Sequence, residues 1–167
     1  MVQRKKTKNP FAKFMKLCIK AADSEAAGDK ALLELEKLEQ QLDLPPNILV
    51  AKAACIQLGS EKTTYTLDDV EAALKKALEI DADNVEALIE IGYFYNYVLD
   101  KPAIAKPYFQ KALSFSRKQL SDSIKGIAEC ISETSPKKAL DFIKKASKDT
   151  LDSRIIKNTV TEIKKFM

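Results

Sequence analysis

The chain has 167 residues, 46% hydrophobic and 31% charged, with a formal net charge of +4, four glycines and no tryptophan. That length carries one domain with a substantial core and the balance is that of a soluble protein, while the scarcity of glycine and of β-favouring runs excludes a turn-rich β fold. Histidine is absent, so there is no imidazole base, no Ser-His or Cys-His nucleophile pair and no histidine metal ligand.

Residues 1–9 lack apolar periodicity and read as a basic disordered tail. The following Phe11-Ala12-Lys13-Phe14-Met15-Lys16 carries too many lysines for a signal-peptide apolar region. No run reaches the roughly 18 apolar residues of a membrane span, so a cytoplasmic protein without membrane contact is expected.

Asn9 as N-cap and Pro10 at the first helical position open helix one, with Phe11, Phe14, Met15, Cys18, Ile19 and Ala22 on its stripe. Gly28-Asp29 is predicted to turn the chain, and Leu32, Leu35, Leu38 and Leu42 form the stripe of helix two, which Pro45-Pro46 ends. This N-terminal pair, residues 10–44, reads as a degenerate repeat or a separate helical hairpin. Helix three, residues 47–58, is apolar or small nearly all round and is therefore buried on more than one side.

The loop 59–66 is longer than a helix–helix turn needs. Thr66 or Asp68 caps helix four, which ends at Ile80. Helix five is predicted over 84–99, helix six over 101–116 and helix seven over 118–133; Ser135-Pro136 opens helix eight, which ends near Ser147. A ninth helix from Thr150 or Asp152 sets Ile155, Ile156, Thr159, Val160, Ile163 and Phe166 on one face and reads as a capping helix. Cys18, Cys55 and Cys130 are odd in number and each sits in an apolar helical pattern, so they read as reduced packing residues.

One pattern recurs. Val70, Leu74 and Ala77 share their spacing with Ala105, Phe109 and Ala112, and with Ala139, Ile143 and Ala146, so Leu74 recurs as Phe109 after 35 residues and as Ile143 after a further 34. Between them lie Leu88-x2-Ile91-Gly92-x2-Tyr95 and Ile124-x2-Ile127-Ala128-x2-Ile131. Small residues at Gly92, Ala112, Ala128 and Ala146 admit a second helix closely, while Tyr95, Phe109 and Ile143 fill the space beside them.

The pattern resembles the tetratricopeptide repeat (TPR), a helix-turn-helix unit of about 34 residues, and the match is best from Val85 to Ala112. Leu88 stands in place of the frequent Trp and Ala82 in place of the linker Pro. The Gly92 to Ala105 interval is one residue longer than usual, and Lys101-Pro102 is expected to absorb that residue in the turn. The resemblance implies an all-α fold, a right-handed superhelical stack of antiparallel helix pairs. About nine helices are expected, with three repeat-like pairs over 45–149 and the cap over 150–167.

It also implies a non-catalytic protein–protein interaction module, without cofactor or metal, in which the first helices of successive units line a concave groove for a peptide or partner protein. On helix five that arc carries Glu86, Ile89, Tyr93, Asn96 and Tyr97; on helix seven it carries Asp122, Lys125 and Glu129. Four aromatics in five residues, Tyr93-Phe94-Tyr95 and Tyr97, exceed what one packed face uses. Tyr95 is assigned to the core; Tyr93 and Tyr97 either meet a partner or pack on a neighbouring helix or under the loop 59–66. Asn96 and Lys125 alone do not make a carboxylate clamp. The acidic pairs Asp68-Asp69 and Asp81/Asp83 sit where capping and dipole compensation explain them.

Charge is unevenly spread: residues 1–20 hold seven basic and no acidic side chains, residues 21–100 six against seventeen, and residues 101–167 fifteen against seven. Such a chain suits a partner of mixed charge or head-to-tail self-association. A second reading is a dedicated cytoplasmic chaperone or inhibitor (immunity partner) of one secreted effector or toxin. A third is electrostatic nucleic-acid binding by the basic tail and the C-terminal third. The lysines there, Lys137, Lys138, Lys144 and Lys145 among them, lack interleaved aromatics or an Arg cluster, and a solvated helix face accounts for them better.

Overall fold

The structure, a computed structural model, describes residues 9–60, 63–132 and 134–146. The expected capping helix, and the basic tail apart from Asn9, lie outside the described residues. Within them all regular structure is helical: α1 (Ala12–Ala21), α2 (Glu25–Glu39), α3 (Pro46–Leu58), α4 (Leu67–Ile80), α5 (Val85–Tyr93) continued by a π segment (Phe94–Val98), α6 (Pro102–Ser132) and α7 (Pro136–Ala146). No helix among the described residues is long and apolar enough to cross a membrane. The chain divides into two compact units, Met1–Phe115 and Ser116–Met167.

Helix starts in the first unit follow local chemistry. Asn9 Oδ1 accepts from the Phe11 N–H at 2.9 Å, an Asx-type turn that sets the helix going at Ala12 rather than at Pro10. At α4 the Asp69 carboxylate accepts from the Thr66 N–H at 2.7 Å and its hydroxyl at 2.9 Å, closing a capping box and holding the Asp69 carboxyl below its usual range. Asn84 caps α5 by accepting from the Ala87 N–H at 2.9 Å.

Gly28 does not turn the chain. The turn lies at residues 22–24, and Gly28 is a buried position inside α2. A Cβ there would lie 3.3 Å from Gly59 Cα and from the Leu58 carbonyl oxygen; the missing side chain lets α2 approach the end of α3. Asp29 then fastens the following loop by accepting from the Ser60 N–H at 2.9 Å and hydroxyl at 2.7 Å.

From α1 to α5 each helix packs on the next, and α3 also packs on both α1 and α5. Phe14, Leu35, Ile48, Cys55, Val70, Leu74, Ile91 and Phe94 are buried at the centre. On α3, Ile48, Leu49, Val50, Ala53, Cys55 and Ile56 are all buried, as its all-round apolar surface requires when neighbours sit on several sides. Ile19, expected on the buried stripe of α1, is instead 73% exposed: it projects past the line set by Phe14 and Ala21.

The end of the fifth helix is not regular α-helix. Over Phe94–Val98 the backbone widens to a π turn, with the Leu99 N–H donating to the Phe94 carbonyl at 3.1 Å and the Lys101 N–H to the Tyr95 carbonyl at 2.7 Å. Asp100, at φ 49°, then closes the end in the left-handed region, where Asp is better tolerated than most residues.

The turn expected at 116–118 is not formed. α6 runs for 31 residues through Ser116, Arg117 and Lys118 without a break, so helices six and seven are one element and the described residues hold seven α-helices. The stretch Ser114-Phe115-Ser116-Arg117-Lys118 has no Gly or Pro, and extending a helix costs less than ending it and nucleating another. In the second unit the rest of α6 and α7 are joined by a turn in which the Ser135 N–H donates to the Ile131 carbonyl at 2.9 Å.

Candidate functional site

The side chains singled out on α5 and its π extension separate into core and surface. Phe94 and Tyr95 are buried, and the Tyr95 hydroxyl donates to Glu71 Oε1 at 2.6 Å; Glu71 is itself paired with Lys75. Burial, followed by this acceptor, pushes the Tyr95 phenol up, so it is a structural hydroxyl. Tyr93 and Tyr97 are 47% and 76% exposed. Glu86 is also exposed, and Ile89 and Asn96 are half-buried.

Tyr93 and Tyr97 act as a pair. Their rings stack at 5.7 Å between centroids and 22° between planes. Tyr93 is held from beneath by the edge of Phe109 on α6, 5.1 Å away at 68°. Phe109 in turn fills the space left by Gly92: a Cβ on Gly92 would fall 2.8 Å from its ring. Gly92, Phe109, Tyr93 and Tyr97 thus form a chain of contacts from a close helix approach to the surface. Of the fates expected for the tyrosines, packing on a neighbouring helix is seen for Tyr93, which still presents half its surface. Holding two rings in fixed rotamers is what a contact surface needs if little entropy is to be lost on binding.

An acidic side adjoins this pair. Glu86, Glu90, Tyr93 and Tyr97 fall at intervals of four, three and four residues along one helical ridge. Burial and then the Glu86 charge push the half-buried Glu90 carboxyl up from its ordinary value. A folded-state value above the unfolded one means that folding takes up a proton, so Glu90 lowers stability once pH exceeds both values and ceases to do so below them. Glu90→Gln is therefore expected to raise the melting temperature at pH 7, with the gain shrinking to nothing as pH falls below the carboxylate range; thermal melts at several pH values check it.

Asp122, Lys125 and Glu129 belong to the second unit, exposed on the later part of α6. Lys125 and Glu129 form an exposed ion pair at 3.8 Å, worth at most a few tenths of a kcal/mol. Both stand on the rim of an apolar groove of about 570 Å³ between α6 and α7, floored by Ile124, Ala128, Ala139, Leu140 and Ile143. Repeat spacing marked Ile124, Ala128, Ala139 and Ile143 as packing positions, and the periodicity alone gave no sign that they would line an open groove. The juxtaposition of Cys18 and Cys55 was equally hidden, because 37 residues separate them.

No group of three or more metal-ligating side chains occurs among the described residues, and every buried side-chain nitrogen or oxygen among them has a hydrogen-bond partner. Comparison of the chain with protein-family models, with curated proteins and with solved structures gives no match.

Proposed function

We propose that the chain is a non-catalytic protein-binding module, a TPR-like α-solenoid whose partner docks on the α5 ridge around Tyr93, Asn96 and Tyr97. The stacked, anchored and largely exposed tyrosine pair carries this reading, since rigid aromatics on a surface are characteristic anchors of binding energy. Packing of α3 on both α1 and α5 supports the solenoid arrangement, in which alternate helices stack to make a continuous face. Glu86 and Glu90 beside the rings favour a partner segment that carries Lys or Arg next to an apolar side chain, because a cation there offsets the repulsion between the two carboxylates.

The test is affinity capture from the source cells with the wild-type chain and a Tyr93→Ala/Tyr97→Ala double variant, followed by titration of the captured protein. The double variant is expected to bind at least tenfold more weakly, a loss of about 1.4 kcal/mol or more. Tyr97→Ala alone should leave the melting temperature nearly unchanged, because Tyr97 is 76% exposed, and should still weaken binding. Equal affinity for both forms rejects this site.

A further inference from the structure

Cys18 and Cys55 meet across the packing of α1 on α3. Their Sγ atoms are 2.8 Å apart in a thiol–thiol hydrogen bond. Cys55 is 1% exposed within the core, and Cys18 is half-buried at its edge; neither is bonded to another cysteine, and the third, Cys130, is exposed on α6 in the other unit. Two cysteines that merely filled space would not need to place their sulfurs in register from separate helices.

We propose that Cys18 and Cys55 form a reversible disulfide that clips α1 to α3, closed by exchange with a low-molecular-weight disulfide of the glutathione class. Cys18 is the sulfur such a reagent reaches. Its thiolate attacks one sulfur of the small disulfide, forming a mixed disulfide and releasing one small thiolate. The Cys55 thiolate then attacks the Cys18 sulfur, the protein S–S bond forms and the second small thiolate leaves. Two protein thiols are oxidised, one small disulfide is reduced to two thiols, and no other reactant is needed.

The arrangement suits the second step. Cys55 Sγ donates to Cys18 Sγ at 2.8 Å, so it already stands at the sulfur it has to attack.

What the clip controls is the attachment of α1. That helix is held by buried Phe14 and Ala21, by Met15, Leu17 and Cys18 packed against the core, and by the ion pair of Lys13 with Glu34 at 2.6 Å; local opening that parts it from α3 is the motion the bond would block. The bond would enclose all of α2, and a cross-link spanning that much chain restricts the unfolded state strongly. Reduced, α1 opens locally; oxidised, it opens only with α3.

The experiment uses the full chain with Cys130→Ser, which removes interchain pairing. It is equilibrated from both the reduced and the oxidised side in buffers graded from fully reduced to fully oxidised glutathione. Thiols are then trapped under denaturing conditions and the intact mass is read. The two thiols are expected to disappear together with a mass loss of two hydrogens, the melting temperature to rise by about 5 °C or more, and amide exchange in α1 to slow at least tenfold. Cys18→Ser and Cys55→Ala, each in the same background, should abolish all three changes. Persistence of both thiols under full oxidation, a stable glutathione adduct at Cys18, or a disulfide that leaves melting and α1 exchange unchanged would each overturn the proposal.

Discussion

Leu74→Ala is expected to destabilise the protein by about 2–5 kcal/mol, whereas Ile143→Ala, at the equivalent position of the repeated pattern, should cost about 1 kcal/mol or less. Leu74 is fully buried between α4 and its neighbours, while Ile143 is 42% exposed on the wall of the α7 groove. Removing Leu74 gives up its transfer free energy and leaves a cavity in a region where packing on both sides limits collapse. Removing part of Ile143 exposes little that water does not already touch. Urea titrations of the two variants, followed by circular dichroism, measure the difference. Equal losses would mean that the last copy of the pattern is as deeply packed in solution as the first.

The second large effect is a gain. Pro107 lies inside α6, past its first turn, where its ring denies the Ala103 carbonyl its partner and crowds the preceding turn. Proline in a helix interior is about 3 kcal/mol worse than alanine. Replacing it also frees the unfolded chain, which returns about 0.4–1 kcal/mol in the other direction. Pro107→Ala is therefore expected to stabilise the protein by about 2 kcal/mol, read as a higher urea midpoint at unchanged slope. Pro107 is exposed, so the substitution opens no cavity in the core. A lower midpoint would show that the proline shapes α6 against α5 in a way that straightening the helix undoes.

Legibility followed the range of the interactions involved. Thr66 at α4, Asn84 at α5 and Pro136 at α7 all act within three or four residues, and the helix starts they set were readable along the chain. Gly28 was misread because its reason is a backbone approach to Gly59, 31 residues away; no local pattern distinguishes such a glycine from a turn. Residues 116–118 were misread for the converse reason: a repeat register argued for a break where nothing local provides one.

The candidate site divides the same way. An excess of aromatics near Tyr93 marked the surface pair, because core demand can be counted along a helix. The Phe109 edge that fixes Tyr93, and the sulfur contact between α1 and α3, arise only once helices have paired.

The π segment has a consequence for how this chain tolerates change in length. A residue inserted into an α-helix ordinarily rotates everything beyond it by about 100°, and ahead of Gly92 that would turn Gly92 away from the Phe109 ring it admits. Here the widened turns are confined to the last five residues of the element, Phe94–Val98, just ahead of the break at residues 99–101, and α5 up to Tyr93 keeps its phase. A chain one residue shorter at this place would close the widened turn into regular helix with α5 up to Tyr93 unchanged. What it would lose is the local unwinding beneath Tyr97, so length variation here would act on the presentation of that ring while sparing the core beneath it.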